Sequence, residues 1–111
     1  MPMTHAADTD FSRSADWLRA AFDAALKAGQ PSRITQSACQ GIKPPTAVIA
    51  LGKAAGAMAD GARAAGVTAP GILITTDENH RQIDGLECLV ASHPVPDSRG
   101  LQAAGKVAAL V

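Results

Sequence analysis

Val48-Ile-Ala-Leu-Gly-Lys-Ala-Ala-Gly56 is the stretch that decides the fold. It opens within a short unbroken apolar run, Thr46 to Leu51, that follows Pro44 and Pro45. Such a run reads as a strand buried on both faces, as in a parallel sheet. Gly52 then makes a turn. Lys53 to Ala65 reads as an Ala-rich helix, with Ala54, Ala57, Met58 and Ala62 at helical spacing and Gly66 as its stop.

Working outward, Gly71-Ile-Leu-Ile-Thr-Thr76 reads as a second buried strand and Glu87-Cys-Leu-Val-Ala91 as a third. Gly85 sits just before the third, and the segment between the two is polar and loop-like. Asp97 or Ser98 caps a last helix carrying Leu101, Ala104, Val107 and Ala108. On the amino-terminal side, Trp17, Leu18, Ala21, Phe22, Ala25 and Leu26 form one apolar face at the helical period. Ser12 or Ser14 is the expected cap of that helix, and Gly29, Gln30 and Pro31 stop it. Pro31 to Pro45 reads as a loop with one helical turn near Ser32 to Thr35. Met1 to Asp10 reads as a disordered lead-in to a domain over residues 11–111.

The order α-β-α-β-β-α predicts a layered, Rossmann-like α/β domain with a mostly parallel sheet. The last helix is still in apolar register at Leu110 and Val111, with no Gly, Asn or polar tail to close it. That open pattern is expected of a chain cut short rather than of a helix fraying at a natural terminus.

Composition narrows the function classes. The chain has 111 residues, ten basic and ten acidic. No basic stripe is visible, which argues against a nucleic-acid or anionic-membrane partner. The apolar run Ala47 to Leu51, which no other exceeds, is far short of the ~20 residues that span a bilayer. Cys39 and Cys88 match no zinc or CxxC spacing and read as free thiols of a cytoplasmic protein. No metal site is expected. Phe11, Trp17 and Phe22 are the aromatic residues, so the core is built from small aliphatic groups.

Three segments carry candidate chemistry. At Gly52, Lys53 and Ala54 a strand end meets a helix start. Free N–H groups and the positive end of the helix dipole favour anions there. Lys53 adds a point charge, and Gly52 allows close backbone approach. The place is the carboxyl end of a parallel strand, where open α/β sheets bind ligands. The pattern is neither a P-loop nor GxGxxG, and a solvated surface lysine also fits it. In Ile74-Thr-Thr-Asp-Glu-Asn-His80, Thr75, Thr76 and His80 suit a small polar substrate, and a solvated turn fits equally well. In Ser92-His-Pro-Val-Pro-Asp97, two prolines stiffen the backbone, Asp97 suits a helix cap, and His93 is open between core and ligand contact.

Taken in order, four segments resemble the N-terminal domain of the class II glycerate 2-kinases, a family long described as hydroxypyruvate reductases. They are Leu18 to Leu26, Val48 to Ala55, Gly71 to His80, and His93-Pro-Val-Pro-Asp97 with Gly100-Leu101. The resemblance covers Leu18 to Val111, and Asn79 stands where that family usually has a glycine before the histidine. It implies transfer of the ATP γ-phosphoryl, with Mg²⁺, to the 2-hydroxyl of D-glycerate. By that resemblance Lys53 lies at the phosphates as the catalytic residue. Gly52, Ala54, Thr76, His80, His93 and Asp97 then belong to the ATP and substrate site. Family members run on into a Ser- and Gly-rich loop and a second domain, so the 111-residue chain alone is expected to be inactive. An NAD(P)H-dependent hydroxypyruvate reductase is the alternative enzyme, although no dinucleotide fingerprint follows any strand. A non-catalytic truncated remnant is the other, and a sugar-phosphate isomerase-like binding domain would want hydroxyls where Ala54 and Ala55 stand.

Overall fold

The computed structural model describes residues 3–111, and the chain divides after Gln30 into two compact units. The first is helix α1, Met3–Ala28. No Gly or Pro stands between Pro2 and Gly29, so nothing interrupts the helical hydrogen bonds. The helix therefore begins within the segment expected to be a lead-in, and Ser12 and Ser14 lie inside it rather than at its cap. Met1 and Pro2 lie outside the described residues. Gly29 N–H donates to the Ala25 carbonyl (2.9 Å) and closes the last turn. The expected apolar face is present and exposed: Trp17, Leu18, Phe22 and Leu26 all face solvent within this unit.

The second unit is a layered α/β fold. Helix α2 is Pro31–Cys39, strand β1 Val48–Leu51, helix α3 Ala55–Ala64, strand β2 Gly71–Thr75, strand β3 Leu86–Val90 and helix α4 Ser98–Leu110. A short 3-10 turn, Asp77–Asn79, follows β2. The sheet is open and all-parallel in the order β1-β2-β3, with Val48 opposite Gly71 and Gly71 opposite Leu86. A Cβ on Gly71 would collide with the Val48 backbone, so a side chain cannot stand where the two strands start.

The pleat sends alternate residues to opposite faces. On one face Ala55 and Ala59 of α3 pack with Leu73, Leu86 and Ile83, flanked by Val48, Ala50 and Cys88. Helix α2 crosses α3 closely at Gly61, where any side chain would meet the backbone of Ser32. On the other face Ile72 is buried, and α4 lies over β2 and β3, its buried Ala103 inward and Lys106 paired with Glu87.

Two expectations need correction here. Residues 31–39 form a full helix, not a loop with one turn. Pro31 can stop a preceding helix, but its missing N–H and fixed φ equally suit the first position of a new one. Strand β1 is not buried on both faces, since Ile49 is 42% and Leu51 61% exposed. It is an edge strand, and α4 covers its neighbours instead. The link from β2 to β3 has no α-helix, the usual crossover between parallel neighbours. It buries Ile83 against Ala55 and Leu73 in place of a helix face.

Candidate functional site

All three strands run the same way, so their carboxyl ends, and the loops that leave them, gather at one edge of the sheet. Pairing continues one step past the strands there: Gly52 N–H donates to Ile74 (3.0 Å) and Ala91 N–H to Thr75 (2.9 Å). This brings Gly52 and Lys53, Ile74 to Thr76, and Ala91 to His93 around one cleft of about 430 Å³. The volume suits a small-molecule ligand.

The first wall is the turn between β1 and α3. Gly52 has φ +104°, a left-handed conformation that a side chain would strain. Its carbonyl accepts from Ala55 N–H (3.2 Å), which starts the helix at once. Ala54 stands at the cap position and has no side chain able to accept from the first turn of α3. The N–H groups of that turn beyond Ala55, with the dipole behind them, leave a positive potential near the cleft edge. Lys53 is exposed beside it and pairs with no carboxylate among the described residues.

The second wall is the end of β2. Thr75 is 3% exposed, and its Oγ1 has no hydrogen-bond partner among the described residues. A buried hydroxyl left so costs on the order of 1–3 kcal/mol. Native structures seldom keep such a group without a reason. Thr76 differs. Its Oγ1 accepts from Asn79 Nδ2 (2.7 Å) and donates to Glu78 Oε2 (3.4 Å), so the hydroxyl is engaged in the 3-10 turn.

The third wall is the loop from β3 to α4, in which the His93–Pro94 peptide is cis. His93 lines the cleft and is exposed to solvent. Asp97 does not line it. Its carboxylate caps α4, Oδ1 accepting from Gly100 N–H (3.3 Å) and from Ser92 N–H (3.4 Å). Its Oδ2 accepts from Arg99 Nε (2.9 Å). The same guanidinium reaches the loop after β2, where Nη1 and Nη2 donate to Asp77 Oδ1 (2.8 Å) and Oδ2 (3.1 Å).

These bonds set the charges at the rim. The hydrogen bond from Arg99 holds the Asp77 carboxyl below its ordinary value, against a smaller opposing effect of desolvation. Arg99 does the same to Asp97, helped by the N–H groups of Gly100 and Ser92. The two carboxylates in turn push the Arg99 guanidinium further up. Both acids are ionised at neutral pH and already spoken for.

Of the residues singled out in the sequence, the fold gathers Gly52, Lys53, Thr75, Thr76 and His93 at the cleft. Ala54 stands just behind, as the first residue before α3. His80 is exposed at the far end of the 3-10 turn and does not line the cleft. The buried, unpartnered Thr75 hydroxyl and the Arg99 bridge carry no local sequence signal: each is a fact of tertiary packing. Among the described residues no group of three or more His, Cys, Asp or Glu side chains is placed to hold a metal ion. No described helix is long and apolar enough to cross a membrane.

A family model described as a domain of unknown function (DUF4147) matches residues 17–111. Neither the curated proteins nor the solved structures gave a match. The chain belongs to the DUF4147 family, the N-terminal domain of glycerate 2-kinase/hydroxypyruvate reductase-like proteins.

Proposed function

From that membership we propose that this chain carries the Lys53 side of a glycerate 2-kinase site, where the γ-phosphoryl of ATP passes to the 2-hydroxyl of D-glycerate. The observation that supports it best is the meeting of Gly52 and Lys53, just ahead of the uncapped start of α3, with the ends of β2 and β3 around one cleft. Phosphoryl transfer asks a protein chiefly for positioning and charge stabilisation. An ammonium beside a helix N-terminus supplies both for a phosphate tail. His93, exposed on the wall of the cleft, is the side chain that a small hydroxy acid would meet. Bound Mg·ATP would supply the transferable phosphoryl group. The Mg²⁺ of that complex would be held mainly by nucleotide phosphates and water.

Calorimetric titration of Mg·ATP and of D-glycerate into the protein tests the reading. Lys53→Met should weaken Mg·ATP binding by about tenfold or more, which is about 1.4 kcal/mol or more, with the fold intact. Equal affinity in the two proteins would refute the role given to Lys53. Quenching of NADH fluorescence on binding would instead favour the reductase alternative.

A further inference from the structure

Arg99 sits outside the cleft, yet its guanidinium is bonded to both loops that wall it. Two of its N–H groups grip Asp77, next in the chain to cleft-lining Thr76, and Nε grips Asp97. Asp97 in turn accepts from the backbone N–H of cleft-lining Ser92. An unbroken chain of hydrogen bonds therefore runs from the second wall to the third: Asp77, Arg99, Asp97, Ser92. We infer that Arg99 is a positioning residue that fixes the separation of these two walls. The inference rests on the reading of the cleft as the ligand site.

The geometry demands arginine. One rigid fork meets Asp77 with two parallel bonds while Nε turns to Asp97. A lysine ammonium is a single point charge and cannot reproduce that planar pattern on both partners. The three side chains are about a third to two thirds exposed, at 40% for Arg99, 64% for Asp77 and 35% for Asp97. Exposed pairs of this kind add little to global stability. Their effect is expected in the placing of the loops, and that separates a positioning role from a merely structural one.

The test uses amide NMR of the unliganded protein together with titration of Mg·ATP. Asp77→Asn alters only the partner in the first loop. It should nonetheless shift the amide resonances of Ser92 and His93 in the second. Arg99→Met should raise the fast mobility of both loops together and weaken Mg·ATP binding by about tenfold. Arg99→Lys should recover part of that loss, and the melting temperature should hardly move in any of the three. The inference is overturned if the effect of Asp77→Asn stays within residues 76–80. It is also overturned if Arg99→Met binds Mg·ATP as the unaltered protein does. A chain that takes up no Mg·ATP at all would refute the proposed function. The loop-to-loop shifts in the unliganded protein would still decide for or against Arg99.

Discussion

The two ends of the sheet are each tied by one arginine, in opposite ways. At the amino ends of the strands Arg63 donates to three backbone carbonyls, of Val67 (2.9 Å), Ala69 (2.8 Å) and Asp84 (2.9 Å). It binds the last turn of α3 to the segments that lead into β2 and β3. At the carboxyl ends Arg99 binds two carboxylates beside an open cleft. The amino end is fastened to neutral acceptors, the carboxyl end to titrating ones. The difference teaches how the work is divided: one edge of the sheet secures the chain, and the other holds two loops beside a cleft that Lys53 and His93 face unpaired among the described residues.

The comparison breaks first if the amino end proves dispensable. Arg63→Met leaves three carbonyls short of a donor, two of them in partly buried bonds. It should lower the unfolding free energy by about 2 kcal/mol, measured by urea denaturation, with Mg·ATP affinity unchanged. A loss of affinity with no loss of stability would reverse the roles of the two ends.

Thr75 sharpens the contrast with a smaller effect of opposite sign. Its buried hydroxyl has no partner in the described structure. Thr75→Val should therefore raise stability by about 1 kcal/mol, where removal of an ordinary buried hydrogen bond lowers it. A destabilised valine variant would show that the hydroxyl is satisfied in solution.

The smallest expected effect is acid sensitivity confined to one end. Asp77 and Asp97 have folded-state pKa values below the ordinary 3.8. A depressed carboxylate pKa contributes stability that is complete above the unfolded value and is lost as pH falls through the folded one. The Arg99 bridge should therefore hold at neutral pH and loosen only below about pH 4. Amide shifts of Ser92 and Gly100 should change there, while those around Val67, near the Arg63 carbonyls, should stay. Equal movement at both ends would remove the distinction.

Much of this arrangement was legible before the fold was known. The run into Leu51, the Gly52 turn and the alanine helix specify strand, turn and helix by local rules alone. Once the strands are parallel, their following loops must share an edge, so Lys53, Thr76 and His93 could be grouped from the sequence. Asp97 was readable as a cap and is one. What was not readable depends on distant partners. The exposure of β1 follows from where α4 lies, and a strand's own residues do not record that. Helix α2 hid behind Pro31, which serves as a stop for one helix and a start for the next. The Arg99 to Asp77 bridge spans 22 positions. The hydroxyls of Thr75 and Thr76 look alike in sequence, and only packing makes one free and the other engaged.

The Phe and Trp rings all lie in α1, at Phe11, Trp17 and Phe22, and the unit from Pro31 onward has no Phe, Trp or Tyr. The cleft-bearing unit is thus optically silent where purines absorb. An adenine seated there would give an induced circular dichroism band with no protein chromophore of its own unit beneath it. Trp17, 73% exposed on its helix, reports on the other unit. Occupancy of the cleft and the state of α1 can thus be followed as separate signals in one cuvette.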